Sequence, residues 1–233
     1  MIELFPEGFE EVEHADSVEL AAYTNAGGEE RLMHAFTGAR GADVEDGWEE
    51  GWRDFHKPVR IGGLWVGPPW ESPDPGALAV VIDPGRAFGT GGHQTTRLCL
   101  ELLLELPPGS LVDVGCGSGV VAIAAARLGF GPVVGLDNDP VAVEATLANA
   151  AENGVSVEAR IADALGGVLP EADVSVANIS LASVLALGPQ FRSAQVVTSG
   201  YLLSERPDFD GYRHVERRQK DGWAADLYAR KTQ

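Results

Sequence analysis

Short apolar runs recur along the chain from residue 77 onward, at Ala77 to Ile82, Leu111 to Val114, Val133 to Leu136, Val157 to Ile161, Val174 to Ala177 and Gln195 to Ser199. Each has the length of a strand, and what separates them is either a loop or a stretch with apolar residues at helical spacing, as over 94–106 and 120–128. Strands that alternate with helices predict a parallel, doubly wound α/β sheet. After the last of these runs, His214 to Gln219 and Trp223 to Arg230 flank the turn Asp221-Gly222 and predict an antiparallel hairpin that closes the sheet edge. Ahead of residue 76 the rhythm is absent. Residues 1–57 hold strand-like pieces such as Ser17 to Thr24 among Gly-rich and acidic stretches, then a Trp-rich patch from Trp48 to Phe55, and predict a small α/β lobe. Residues 58–75, with Pro58, Pro68, Pro69, Pro73 and Pro75, predict a short strand around Ile61 to Val66 and then a stiff linker. The expected organisation is a lobe over 1–57, a linker over 58–75 and one α/β domain over 76–233.

Length and composition agree with that division. A chain of 233 residues fills one α/β core and a small appendage, and is short for two full domains. Hydrophobic residues at 45% and charged residues at 22% give no ground for general disorder. No apolar run approaches the roughly 20 residues of a membrane span, and Met1 to Glu13 is acidic where a signal peptide would be basic, so a cytoplasmic protein is expected. Cys99 falls in a helical pattern and Cys116 in a glycine loop, which supports neither a disulfide framework nor a zinc site. Acidic residues outnumber basic ones by 35 to 17, a formal charge of -18 that repels nucleic-acid phosphates and favours a basic partner; solubility alone is the plainer account of the same charge.

The strongest local signal is Asp113-Val114-Gly115-Cys116-Gly117-Ser118-Gly119, placed directly after an apolar strand and directly before an apolar helix. Glycines at 115, 117 and 119 permit a tight turn and let a ligand approach the backbone, and the helix N-terminus behind them offers unpaired N–H groups. Asp137 follows the next strand, 22 residues after Gly115, where a carboxylate can accept hydrogen bonds from both ribose hydroxyls. A dinucleotide-binding G-x-G-x-x-G would place its third glycine at Val120, whereas this loop ends at Gly119, and the G-x-G-x-G spacing favours S-adenosylmethionine over NAD. The neighbouring Asp139-Pro140 reads as a helix N-cap followed by proline at the first helical position.

Three further segments are candidates. Asp163, after the third strand, is either an acceptor for the adenine amino group or an ordinary turn aspartate. Asn178 ends the strand Val174 to Ala177 on the sheet edge where open α/β folds bind ligands, and its amide either orients an incoming amine toward a sulfonium methyl or caps the helix that starts at Leu181. The run from Asp83 to Thr96 holds four glycines around Phe88, with hydroxyls from Thr90, Thr95 and Thr96, and suits a flap over a ligand with Phe88 as an apolar wall. His93 has no cluster of ligating residues at metal spacing beside it, so it reads as structural and no metal is expected.

These stretches together resemble the PrmA family, the methyltransferases of large-subunit ribosomal protein L11. The likeness rests on the Trp-rich approach Trp52 to Trp70, the loop IDPGRAFGTGGHQTT, the turn DVGCGSG with Asp137, and VANI ending at Ile179. It implies a Rossmann-like, seven-stranded class I methyltransferase domain and a ferredoxin-like N-terminal lobe that docks the ribosomal protein. It also implies transfer of methyl groups to lysine ε-amines and an N-terminal α-amine of that basic partner. By position, Thr96, Gly115, Asp137 and Asn178 would contact S-adenosylmethionine beside Gly117 of the same turn, with Phe88 and its loop covering the ligand. Gly92 stands where the family has threonine, Gln94 where it has proline, and Ser180-Leu181 where it has Leu-Ala; none of these removes a cofactor group. The family's docking lobe opens with one further strand and helix before the segment resembling Leu4 to Glu13, so a shortened lobe is expected. Rival readings are a methyltransferase of the same fold acting on another protein or a small molecule, and a catalytically silent S-adenosylmethionine-binding module.

Overall fold

The computed structural model describes residues 10–14, 17–21, 32–36, 38–40, 56–84 and 92–231. The chain divides into two units, Met1–Trp52 and Arg53–Gln233. In the first, strands β1 (Glu10–His14) and β2 (Ser17–Ala21) pair antiparallel, Glu10 opposite Ala21 and His14 opposite Ser17, and residues 32–35 are helical.

The described residues of the second unit form two sheets. Three strands, β3 (Val59–Ile61), β4 (Leu64–Gly67) and β5 (Leu78–Val81), form the smaller one, with β4 antiparallel to β3 and parallel to β5. The single strand expected around Ile61 to Val66 is thus two, because Gly62 takes a positive φ of 55° and the chain reverses between Ile61 and Leu64. Leu64, Trp65 and Val66 are buried, so much of the proline-rich segment 58–75 is part of the core, while 71–76 is largely exposed.

The larger sheet is built from β6 (Leu111–Val114), β7 (Val133–Asp137), β8 (Glu158–Ile161), β9 (Val174–Asn178), β10 (Gln195–Leu202), β11 (Tyr212–Lys220) and β12 (Trp223–Arg230), in the order β11-β12-β10-β9-β6-β7-β8. Strands β8, β7, β6, β9 and β10 are parallel. The predicted C-terminal hairpin forms at Asp221 and Gly222, both with positive φ (46° and 84°), as a tight hairpin turn requires. Its second strand inserts between β10 and β11, antiparallel to both, so the edge belongs to β11.

Among the described residues of the unit there are four α-helices: α1 (Gln94–Leu103), α2 (Val120–Arg127), α3 (Pro140–Glu152) and α4 (Leu181–Leu187). Helix α2 is apolar all round, with Val120 to Ala125 buried, because it packs on β5 as well as on β6 and β7. Alternation along each strand divides the core between the two faces of the sheet. Val174, Val176, Val197 and Leu227 join α1, α2 and the small sheet; Val112, Val114, Val196 and Tyr228 join α4 and the aromatic group Phe191, Phe209 and Tyr212. Among the described residues no helix is long and apolar enough to cross a membrane.

Candidate active site

The chain leaves β6 toward β7 and β8 on one side and returns to β9 and β10 on the other. Such a reversal opens a crevice beyond the carboxyl ends of the strands. A cavity of ≈ 590 Å³ lies there, lined by Gly115, Asp137, Asp163, Asn178, Thr96 and Trp223 among others.

The glycine turn forms its floor. Gly115, Gly117 and Gly119 all have positive φ (74°, 54° and 83°), which L side chains rarely adopt. A Cβ on Gly115 would sit 2.4 Å from Ile179 Cγ2, and one on Gly119 would meet Thr146 at 2.9 to 3.0 Å. Gly119 is also the N-cap of α2 and contributes no side-chain cap. The turn is tied to β7 by the amides of Gly115 and Cys116, which both donate to the Leu136 carbonyl at 2.8 and 3.1 Å.

Asp137, the last residue of β7, is half-buried and held by main-chain donors on both oxygens. Gly117 N–H donates to Oδ2 at 2.9 Å and Asp139 N–H to Oδ1 at 3.0 Å. A carboxylate oxygen accepts two hydrogen bonds, so each keeps capacity for one hydroxyl of a vicinal diol. Gly117 therefore serves the cavity by fixing this carboxylate. Asp139 caps α3 as its sequence suggests, accepting Val141 N–H at 2.8 Å with Pro140 behind it.

Asn178 ends β9 and donates through Nδ2 to Thr96 Oγ1 at 3.3 Å, which brings together residues 82 positions apart. Its amide carbonyl oxygen is not used in that bond. The cap of α4 is Ser180, whose Oγ accepts Ser183 N–H, so the capping role open to Asn178 in the sequence is filled by another residue. Asp163 makes the turn the sequence allowed, accepting Leu165 N–H at 3.0 Å, and also lines the cavity. His93 caps α1, with Nδ1 2.8 Å from Thr95 Oγ1, and packs edge-on against Trp223 at 4.9 Å between centroids; burial holds its pKa below the ordinary histidine value. Phe88 and the rest of 85–91 lie outside the described residues.

The cavity also holds groups that sequence reasoning passed over. Asp113, inside the buried run of β6, accepts Ala122 N–H at 3.1 Å from the first turn of α2; burial pushes its pKa up to about 7 against that bond, and the negative charge of Asp137 adds to the rise. An acidic residue in the middle of an apolar strand was the available signal. Gly200 reaches the cavity where β10 bulges between Ser199 and Tyr201, and a Cβ there would lie 2.0 Å from the Ile179 carbonyl oxygen. No local pattern marks Gly200 or Trp223, since the packing of β10 and β12 alone places them.

An adenosyl ligand fits this donor set. Glycine at 115 leaves the backbone bare where a side chain would close the floor, and Asp137 offers paired acceptors beside it. The family model described as ribosomal protein L11 methyltransferase (PrmA) matches residues 9–225. The chain is 43% identical to the ribosomal protein L11 methyltransferase of Azotobacter vinelandii, over 76% of this chain and 65% of that one. It is 41% identical to the protein of the same name from Symbiobacterium thermophilum, over 78% of this chain and 66% of that one. The chain thus spans slightly less than two thirds of the length of these curated relatives. A crystal structure of ribosomal protein L11 methylase from Lactobacillus delbrueckii subsp. bulgaricus superposes with a TM-score of 0.66 at 29% identity, covering 75% of this chain and 99% of that one. With a family model spanning nearly its whole length and the strand order and glycine turn described above, the chain belongs to the PrmA family.

Proposed function

We propose that this chain is an S-adenosylmethionine-dependent methyltransferase that modifies lysine and N-terminal amines of large-subunit ribosomal protein L11. The observation that carries the reading is the junction of Gly117 N–H with the Asp137 carboxylate, which sets a diol-binding group against a glycine turn in the same cavity as Asn178 and Thr96. The curated relatives carry the name of that activity and supply the acceptor in this reading.

Asp137 would accept from the ribose hydroxyls, the backbone at Gly115 and Gly117 would lie along the ligand, and Asp163 would border the adenine. Thr96 and Asn178 would face the reacting end, with Phe88 and its loop as cover. When bound, the cofactor supplies a sulfonium methyl to a neutral amine. Asn178 would orient that amine through its carbonyl oxygen while Thr96 holds the amide in place. Losing a proton from lysine at pH 7 costs roughly 4 to 5 kcal/mol from its reference pKa, and a partly desolvated pocket that disfavours the ammonium would lower this cost. Residues 1–57 would dock the ribosomal protein, residues 76–233 would carry the reaction, and the charge of -18 would favour a basic partner in the cytoplasm.

Incubation of the purified chain with tritiated S-adenosylmethionine and a mixture of large-subunit ribosomal proteins tests this. Label is expected in L11. Label confined to another protein would overturn the acceptor, and no label in any would overturn the enzymatic reading.

A further inference from the structure

Helix α3 bears a polar stripe where a core helix ordinarily bears an apolar one. Thr146, Asn149 and Asn153 recur at helical spacing and are buried, yet none lines the cavity. Most of their partners are main-chain groups of two other segments. Asn153 accepts Val81 N–H at 2.8 Å and donates to the Val81 carbonyl at 2.6 Å, pairing with that residue as a neighbouring strand would. Asn149 repeats the pattern two residues further on, accepting Asp83 N–H at 3.0 Å and donating toward the Asp83 carbonyl at 3.4 Å. The two pairings register because four residues of helix rise about 6 Å and two residues of strand about 6.6 Å.

Each asparagine makes one further donation through Nδ2, and the two go to different places: that of Asn153 reaches the Asn149 carbonyl of its own helix at 2.7 Å, whereas that of Asn149 reaches the carbonyl of Ser118, inside the glycine turn, at 2.9 Å. Thr146 Oγ1 meanwhile donates to the preceding carbonyl, that of Gly117, at 3.0 Å. In a trans peptide the C=O and the following N–H point opposite ways, so holding these two carbonyls fixes two successive peptide planes of the turn. The N–H one plane earlier, on Gly117, is the one bonded to Asp137.

We propose that Asn149 is a positioning residue for the adenosyl ligand: by fastening the Ser118 carbonyl to the chain at Asp83, it holds the glycine turn in the shape that steadies Asp137. It touches no ligand itself and acts through the turn. The inference rests on the methyltransferase reading, deepens it, and separates a side chain that shapes the site from one that only secures β5.

The test compares Asn149→Ala with Asn153→Ala in the full chain, by thermal melting and by calorimetric titration with S-adenosylhomocysteine. Both variants lose buried hydrogen bonds and are expected to melt lower by similar amounts. Only Asn149→Ala is expected to weaken binding, by roughly tenfold, the equivalent of one or two lost hydrogen bonds, with Asn153→Ala within about threefold of wild type. Wild-type affinity in Asn149→Ala, or equal weakening in both variants, overturns the positioning role. If Asn149→Ala does not fold, Asn149→Ser carries the same comparison. No binding by the wild type overturns the methyltransferase reading, and this inference with it, whereas wild-type binding with matched variants overturns this inference alone.

Discussion

Asp226 and Asp113 are both buried carboxylates in one seven-stranded sheet, the first in β12 near the hairpin edge and the second in β6 under the cavity. Around Asp226 the charge is fully answered: Tyr201 O–H donates to Oδ2 at 2.8 Å, His214 Nε2 lies 2.6 Å from Oδ1, and Arg217 Nε lies 3.3 Å from the same oxygen. Around Asp113, among the described residues, one backbone N–H answers it, and burial pushes the group up to about 7. The difference separates scaffold from site. A buried carboxylate surrounded by donors locks the strands that carry them, whereas one with fewer donors among the described residues, and lining a cavity, has its charge disfavoured by burial. Asp137 lines the same cavity, and its two main-chain bonds fix it without exhausting it.

The contrast can be broken most forcefully at the hairpin. Asp226→Ala strands Arg217 and His214 around a hole, and such a loss costs about 3 to 5 kcal/mol, or a fall in Tm of roughly 10 °C for a unit of this size, measured by calorimetric melting. S-adenosylhomocysteine affinity of the folded variant is expected to stay within about threefold of wild type. Asp137→Ala should do the reverse. Loss of the two charge-assisted bonds proposed to the ribose is expected to raise KM for S-adenosylmethionine about 100-fold, with Tm changed by less than about 3 °C. Loss of stability without loss of affinity at 137 would erase the distinction drawn here.

Smaller effects sharpen it. Asn178→Ala is expected to lower kcat roughly 10- to 30-fold while S-adenosylhomocysteine binding shifts by less than about threefold, if the amide orients the acceptor as proposed and takes no part in the ribose contacts. Steady-state kinetics beside a binding titration would show an equal loss in both if the assignment were wrong. Asp113 gives a pH signature in the ligand-free protein. With its folded pKa near 7 and its unfolded pKa near 3.8, the folded chain holds a proton that the unfolded chain releases across that window. Its contribution to stability is therefore most favourable at low pH, declines as pH rises toward 7, and stays low above it. Asp113→Asn should melt roughly 4 to 8 °C above wild type at pH 8 and within about 2 °C at pH 5, and a gap independent of pH would contradict the burial argument.

Local pattern carries further for strands than for the contacts between them. The apolar runs behind β6, β7, β9 and β10 are continuous because both faces of those strands are covered, which makes them visible from hydrophobicity alone. The insertion of β12 between β10 and β11 leaves no such trace, since pairing order depends on where a whole hairpin docks. The turn at 115–119 and the carboxylate at 137 were legible because glycine and acid fall at fixed distances within one strand-helix-strand unit. Family resemblance implies a cofactor contact for Thr96 and for Asn178 separately, but their hydrogen bond to each other has no signal in either segment. Asn149 was illegible for the same reason: its partners, Ser118 and Asp83, lie 31 and 66 positions away. Asp113 was in view but read as part of the motif's frame, and only its burial gives it a role of its own.

The most direct measurement is calorimetric titration of the wild-type chain with S-adenosylhomocysteine, run beside Asp137→Ala. One ligand per chain is expected on wild type, with the heat largely abolished in the variant. An absence of heat on wild type, or the same isotherm from both proteins, would contradict the claim that this carboxylate and its glycine turn grip an adenosyl ligand.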